Sequence, residues 1–294
     1  CVMAGAREDF SEPLEDIVTK ALPRISAIDS RRWIEFLVDN LPEISARSEG
    51  DFSPLQLRML TMLQFTIWQK TWQECGFSDM LEGFRRLSEC PVLLGEILDV
   101  LYYNYDRIDF VDSPVDLGFE CPLDLHCTYS RDQILAALDF MKPGTVREGT
   151  KYLLDKKTDV HFVTLNKAEK DYSPTTMYED YSINEVLFHW QSQSTTAENS
   201  ATGQRYIHHR AKGSRVLLFV REFKADARFG SMGVRELLFV REFKSGKLGA
   251  ALYTFLGLAD FLSVNGSKPM NITWRLHEPI PAKYLRKTNK LVVG

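Results

Sequence analysis

This chain has no apolar run long enough to span a bilayer and no stretch patterned like a signal peptide. The two absences predict a cytoplasmic protein with no membrane partner. The first residue is Cys1 rather than Met, which indicates a fragment whose front end is missing. With 44% hydrophobic and 26% charged residues, the 294 residues are expected to be globular and long enough for two domains.

Cysteine is also scarce. The five cysteines are an odd number and lie far apart in the sequence, which favours isolated thiols over a disulfide framework. Cys121, His126 and Cys127 are close enough to suggest zinc, but the paired cysteine knuckles of structural zinc sites are missing. We therefore expect no metal.

The motifs of common phosphate-handling enzymes are missing too. A nucleotide-binding loop needs Gly-rich residues followed by Lys-Ser/Thr, and residues 230–234 (GSMGV) lack the lysine. Residues 208–212 (HHRAK) do not have the His-x-Lys spacing of phospholipase-D-type nucleases. Either Ser192 or Ser194 would supply a hydrolase triad with His189 and Asp171, but no nucleophile elbow surrounds either serine. We expect neither catalysis nor a cofactor here, with a nuclease of unfamiliar type as the enzymatic alternative.

Charge is divided unevenly along the chain. Residues 1–124 carry 11 Lys+Arg against 23 Asp+Glu, a net −12, whereas residues 125–294 carry 25 against 17, a net +8. An acidic region is typical of protein contacts or solubility, while a basic region suits a polyanion. Six Lys or Arg residues lie between Gln204 and Lys224, where Glu222 is the single acid. A solvated surface is the alternative interpretation.

The acidic part has helical periodicity. Residues 53–56 (SPLQ) combine an N-cap Ser, Pro at the first helical position and Gln at the third. The following residues 57–75 are apolar on most sides, which is typical of a central helix. Prolines and glycine then mark a connector over 111–124. Helices that pack around the central one are predicted at 12–22, 31–41, 78–88 and 92–105.

The basic part changes to a strand pattern after one lead-in helix. Residues 130–133 (SRDQ) form a capping box, which predicts a helix ending near Lys142. The fold class predicted is α+β: an all-α bundle over 1–124, followed by a β-rich barrel or curved sheet over 125–294. Strands are predicted at 159–166, 186–191, 205–208, 215–221, 237–243, 251–256, 259–264 and 271–276.

One segment occurs twice without change. Residues 217–224 and 237–244 both read LLFVREFK. Chance does not produce such a match, and solenoid repeats need several diverged units. A recent tandem duplication or an error in the source sequence is indicated, and the two copies compete for one strand position.

The basic part contains several short motifs that carry a family resemblance: residues 162–167, 170–176, 187–196, 202–207, 217–222, 253–257 and 269–274. Through them the chain resembles the C-terminal domain of unknown function that is fused to superfamily-two (DEAD/DEAH-type) helicases, often behind a phospholipase-D-type nuclease. The resemblance implies a parent ATP-dependent helicase or nuclease that acts in DNA defence, including modification-dependent (type IV) restriction. The upstream helicase and nuclease domains of that chain would be partners, with 1–124 as a helical coupler.

The aromatic and polar stretch 160–219 predicts a DNA-binding surface. A protein that reads a modified base can extrude it and hold it between aromatic rings while polar groups test its edge. For Phe188 and Trp190, core packing is the alternative, because same-side residues of a strand commonly face the core. The candidates are Tyr172, Tyr178, Phe188, Trp190 and Tyr206 for stacking; Asp171, Gln191 and Gln193 for the base edge; and Lys167, Lys170, Arg205, His208, His209 and Arg210 for phosphates.

Eight predicted strands with a lead-in helix are similar to the PUA and SRA-like superfold, whose barrels accept a flipped base. The function expected is therefore DNA target recognition and coupling to a helicase. The alternative is an interaction module that docks the helicase to partners without touching DNA.

Overall fold

The structure is a computed structural model that describes residues 12–166, 180–223, 252–282, 284 and 285. It separates into two compact units, Cys1–Thr145 and Val146–Gly294. The mixed α+β class is confirmed. The boundary predicted after Asp124 precedes this division, so the lead-in helix lies in the first unit and not with the β-rich residues.

The first unit is helical. Each of the five helices predicted over 1–124 is present, although residues 57–75 are helical only as far as Trp68. That helix ends because Gln69 takes a left-handed conformation with φ of 55°. The helices are α1 (Glu12–Ile25), α2 (Arg31–Asn40), α3 (Pro54–Trp68), α4 (Glu82–Ser88), α5 (Pro91–Asp106) and α6 (Arg131–Ala137), with a two-residue strand β1 (Thr128–Tyr129) and 3-10 turns at Ile44–Ala46, Glu49–Asp51 and Pro143–Thr145.

Both predicted capping boxes are present. The Ser53 hydroxyl accepts from the Gln56 amide at the start of α3, and Ser130 does the same for Gln133 at the start of α6. The Gln133 Nε2 atom also donates to Thr66 Oγ1 at 2.8 Å, between two buried side chains. This contact with α3 is one physical reason why α6 belongs to the helical unit. It ends at Ala137, before the predicted Lys142.

The second unit is built on a seven-strand mixed sheet in the order β2-β3-β6-β7-β8-β5-β4. The β3/β6 pair is parallel and the other neighbours are antiparallel. Within the described strands β2 and β4 are the two edges, so the sheet is open and not a closed barrel. Its elements are β2 (Thr150–Leu153), β3 (Thr158–Asn166), β4 (Tyr181–Ser182), β5 (Leu187–Gln191), β6 (Arg215–Phe223), β7 (Tyr253–Asn265) and β8 (Asn271–Leu276), with helix α7 (Ala201–Ile207) after β5.

Two predicted strand assignments are wrong. Residues 205–208 were expected to be a strand, but 205–207 belong to α7, whose N-cap Ser200 accepts from the Gly203 amide at 3.0 Å. Residues 251–256 and 259–264 were expected to be separate, but β7 runs through both of them. Gly257, with φ of 86°, accommodates an irregularity within β7 instead of a break. The repeat at 237–244 lies outside the described residues.

One face of the sheet forms the core of the second unit. Alternate side chains of β5, β6 and β8 point into it, as the period of two in a strand requires. Helix α7 packs onto this core through Tyr206. None of the helices described is both long enough and apolar enough to cross a bilayer. The core side chains are Val163, Phe188, Trp190, Tyr206, Val216, Leu218, Val220, Leu256, Ala259, Met270, Ile272, Trp274, Leu276 and Ile280.

Candidate functional site

A polar cleft opens in the second unit beside the β2–β3 hairpin and α7. Its volume is about 440 Å³, within the range of small-molecule sites. Two acidic and two basic side chains line it, so its formal charge balances and it suits a neutral polar group better than a bare anion. The lining residues are Glu148, Thr150, Lys151, Tyr152, Asp159, Gln193, Thr195, Thr196, Ser200, Thr202, Arg205 and Tyr206.

An ion pair fixes one wall of the cleft. Arg205 Nε lies 2.7 Å from Asp159 Oδ2, and Arg205 Nη2 lies 2.9 Å from Asp159 Oδ1, a bidentate geometry. The Asp159 side chain is only 1% exposed, and the Arg205 guanidinium lies 4.1 Å above the ring of Tyr152. Burial raises the pKa of Asp159, and the hydrogen bonds from Arg205 oppose that shift. Within the described part of the chain Arg205 Nη1 has no hydrogen-bond partner, so its donors remain for a ligand.

The rim of the cleft is rich in amide and hydroxyl groups. Gln193 Nε2 donates to Glu148 Oε2 at 2.8 Å. Thr195, Thr196 and Thr202 add hydroxyls that can donate or accept. This arrangement allows a ligand with both donors and acceptors to be tested at several points.

The core next to Tyr206 contains polar atoms that have no partner among the described residues. His161 of β3 is fully buried, with its ring 4.3 Å from Trp190, 5.3 Å from Tyr206 and 5.6 Å from Trp274 between centroids. Among the described residues, neither His161 ring nitrogen nor Trp274 Nε1 has a hydrogen-bond partner. Burial lowers the pKa of His161 to about 3, so the ring is neutral. Each unpaired polar group costs about 1–3 kcal/mol, which an ordinary core avoids.

The stacking candidates occupy different positions. Phe188 and Trp190 are 0% and 5% exposed and face the core from β5, which is the alternative that the sequence left open. Tyr206 lines the cleft, but it is only 3% exposed and its phenol is hydrogen-bonded to the side chain of Thr150. Tyr172 and Tyr178 lie outside the described residues, together with Asp171, Lys167 and Lys170.

The residues predicted to contact the base edge also lie in different places. Gln193 lines the cleft, whereas Gln191 Nε2 donates to Asn271 Oδ1 at 3.0 Å, a cross-strand contact between β5 and β8. Of the polar run 191–196, Gln193, Thr195 and Thr196 reach the cleft. Ser192 is fully buried instead, and its hydroxyl accepts from the Met270 amide at 2.9 Å.

The phosphate candidates are also dispersed. Arg205 lies in the cleft, and His208 and Arg210 are exposed after α7. His209 is only 2% exposed, and its Nε2 accepts from the Phe261 amide at 3.0 Å. Burial lowers the pKa of His209, so this ring is a neutral structural group and not a surface cation.

Part of the basic run between Gln204 and Lys224 is engaged inside the unit. Arg215 Nη1 donates to the Lys156 carbonyl at 3.1 Å, and Arg221 Nε donates to Thr164 Oγ1 at 2.9 Å. Among the described residues of this run, exposed positive charge is carried by Lys212 and by Arg210, which is 76% exposed and whose Nη1 lies 3.5 Å from Asp260 Oδ2. Charge counting alone therefore overstates the basic surface.

Most residues that line the cleft were not predicted, Tyr152 and Asp159 among them, and neither were His161 and Trp274 in the adjacent core. Tyr152 and Asp159 face each other in the β2–β3 register, and Thr150 pairs with His161. Because strand β2 was not predicted, this pairing was not recognised. Assigning residues 150–153 to a strand would have predicted that Tyr152 lies opposite Asp159.

Residues 123–234 match a protein family described as a domain of unknown function (DUF3427). The match covers every cleft residue and His161, but it is less than half of the chain. No curated protein matches the sequence.

Proposed function

We propose that the second unit recognises DNA targets and that the cleft receives a base extruded from the duplex. One observation carries this proposal. The sequence analysis predicted that Gln193 contacts the base edge, Arg205 a phosphate and Tyr206 the face of the base, and all three line one cleft of about 440 Å³. An extruded base needs a pocket with polar groups at its edge.

The chemistry of the cleft supports this ligand class. The Nη1 donors of Arg205 are placed for a carbonyl or ring nitrogen acceptor. The Glu148–Gln193 pair at the rim offers acceptors for an amino group. Because the charges of the cleft balance, a neutral base is favoured over its phosphate.

Phosphate binding is assigned to the surface after α7. His208, Arg210 and Lys212 are exposed there and follow Arg205 and Tyr206 within a few residues. The residues of Val146–Gly294 include 23 Lys+Arg against 15 Asp+Glu, a net +8. Such contacts supply affinity that is independent of sequence and sensitive to salt.

The wider proposal is a C-terminal fragment of a cytoplasmic, helicase-linked restriction or defence protein, without catalysis or a cofactor of its own. Its support is the sequence resemblance, since the family match over 123–234 is to a domain of unknown function. A PUA- or SRA-like relationship is part of the same proposal, and its support is the polar cleft beside the open sheet.

The decisive measurement is DNA binding by the full chain over a range of salt concentrations. Duplexes that are identical except for one unpaired base, or for one modified cytosine or adenine, are compared with the fully paired duplex. Affinity should fall steeply with salt, and an unpaired or modified base should bind more tightly. Absence of binding, or equal affinity for all duplexes, contradicts the proposal.

Matched glutamine variants test the cleft itself. Gln193→Ala removes an amide from the cleft, and preference for the unpaired base should fall about three- to tenfold. Gln191→Ala removes the neighbouring cross-strand amide and should leave that preference unchanged. The double change Arg210→Ala and Lys212→Ala should instead weaken all duplexes equally and reduce the salt slope.

A docking module without DNA contact is the second candidate, and one observation favours it. Tyr102 and Tyr103 on α5 are 55% and 45% exposed, in a unit whose sequence is strongly acidic. Tyrosine is enriched at protein interfaces. If the chain binds no DNA at any salt concentration, and Tyr102→Ala abolishes capture of an upstream helicase fragment, this candidate replaces the first.

A further inference from the structure

His161 lies directly behind the cleft. It follows Asp159 by two residues on β3, so both side chains lie on the same side of the strand, and its register partner is Thr150. Asp159 and Thr150 both line the cleft. The imidazole is therefore adjacent to the cleft, although it is fully buried.

The side chain of Tyr206 lies between the cleft and the His161 imidazole. Its ring lines the cleft on one side and lies 5.3 Å from His161 and 6.3 Å from Trp274 between ring centroids. The ring is held by a hydrogen bond between its phenol and Thr150. A rotation of this one side chain would join the cleft to the imidazole.

The polar atoms behind Tyr206 form a defined set. A neutral imidazole has one N–H donor and one nitrogen acceptor, and the indole of Trp274 adds one N–H donor. In the part of the chain that the structure describes, all three atoms are without partners. Apolar rings of the same size would be more stable at these positions, so the polar atoms indicate a function.

We propose that His161 and Trp274 form a concealed inner end of the cleft, which takes the Watson–Crick edge of a pyrimidine when Tyr206 turns aside. This rests on the proposed function and names its ligand class. The two nitrogens of an imidazole point in divergent directions, so each of the two rings offers one N–H to the same ligand, and two N–H donors complement the adjacent N3 and O2 acceptors of cytosine. Guanine presents one acceptor and two donors on that edge and is matched less well.

The test compares three duplexes that differ only in one unpaired cytosine, one unpaired guanine or no unpaired base. The full chain should prefer the unpaired cytosine. In His161→Phe that preference should fall about tenfold, while affinity for the paired duplex stays the same and thermal stability in the absence of DNA is equal or higher. Trp274→Phe, which removes the indole donor, should lower the preference in the same direction.

Trp190→Phe is the matched control. It removes an indole from the same aromatic cluster, but its nitrogen is not among the unpartnered atoms, so the preference should survive. If His161→Phe keeps the full preference, the inference is overturned while the proposed function stands. If His161→Phe melts far lower, the imidazole has a permanent internal partner, which also overturns the inference. If the original chain shows no preference for an unpaired base, both proposals fail.

Discussion

In Cys1–Thr145 several buried polar side chains are bonded at helix ends, whereas in Val146–Gly294 some buried polar side chains meet at a cleft and others have no partner among the described residues. Ser30, the N-cap of α2, donates to Asp124 Oδ2 at 2.6 Å and accepts from the Trp33 amide at 3.2 Å. Asp29 accepts from the amide and the hydroxyl of Thr128. These bonds fix the path of the chain between distant segments, which is what a coupling region requires.

Unpartnered atoms also occur in the first unit, but in a different setting. Gln64 Oε1 has no partner, yet its Nε2 donates to the Lys70 carbonyl at 3.2 Å. Asp124 Oδ1 makes no hydrogen bond, yet it lies 2.7 Å from Arg32 Nη2. His161 is different because both of its polar atoms are unpaired. The buried side chain with both polar atoms unpaired thus lies in the second unit, beside the cleft for which binding is proposed.

The largest effect is expected from breaking the ion pair of the cleft. Arg205→Ala leaves Asp159 buried without its partner, which should cost about 3–5 kcal/mol of unfolding free energy. Denaturant unfolding monitored by tryptophan fluorescence gives the value. Arg205→Lys keeps the charge but loses the bidentate geometry and should cost less. Equal, small losses in both variants would show that the pair is exchangeable with water.

A fall in pH should change the stability of the two units in opposite directions. The pKa of His161 is about 3 in the folded chain and 6.5 ordinarily, because burial, then Arg205 and His209, disfavour the charged ring. Its contribution to stability is therefore complete above pH 6.5 and is lost as pH falls toward 3. Between pH 7 and pH 4 this one group should account for a loss on the order of a few kcal/mol of unfolding free energy. His161→Phe should remove most of that loss, and an unchanged pH profile would contradict it.

Asp29, in the first unit, should change stability with pH in the direction opposite to His161. Burial raises its pKa from 3.8 to about 7, against the hydrogen bonds from Thr128. Its contribution is complete below pH 3.8 and is lost as pH rises through 7. Asp29→Asn should therefore remove a loss of stability that builds up between pH 3.8 and pH 7, and leave the opposite change from His161 in that range. Unfolding of both chains at pH 4 and pH 7 measures this difference, and a variant whose stability changes as much as that of the original chain would contradict the assignment.

Local signals were sufficient for much of the helical unit. The capping boxes at Ser53 and Ser130 involve residues three apart, so the sequence alone locates both helix starts. The end of α3 at Gln69 depends on a left-handed residue that no Gly marks, and it was missed. The β-rich unit depends more on contacts between distant residues. Helix α7 was mistaken for a strand because its position is set by packing onto Ala197 and Met270.

The cleft was also predictable only where its residues are neighbours in the sequence. The polar run 191–196 is visible in the sequence, and three of its residues line the cleft. The pairing of Tyr152 with Asp159 depends on strand register, and the isolation of His161 depends on three rings from β5, α7 and β8. Periodicity reports which side of a strand is buried, and it does not report which buried polar group lacks a partner.

Close packing of α7 gives a smaller effect than charge burial. A Cβ at Gly203 would lie 2.2 Å from the Ala197 carbonyl oxygen and 2.7 Å from that of Glu198. Backbone atoms cannot retreat as a side chain does, so Gly203→Ala should displace α7 and cost about 1–3 kcal/mol. Because α7 carries Arg205 and Tyr206, discrimination among DNA duplexes should fall as well. Full stability with intact discrimination would show that α7 is not held by this contact.

The smallest effect, with the opposite sign, is expected at a glycine of the helical unit. Gly95 lies in the interior of α5, and a Cβ there would meet no atom within 4 Å. Gly95→Ala should stabilise the chain by about 0.5–1 kcal/mol, because alanine loses less conformational freedom in a helix. It is thus the matched control for Gly203→Ala: the same added methyl group should raise the unfolding midpoint in α5 and lower it in α7. If both variants shift the midpoint in the same direction, the close approach at Gly203 is not what distinguishes the two helices.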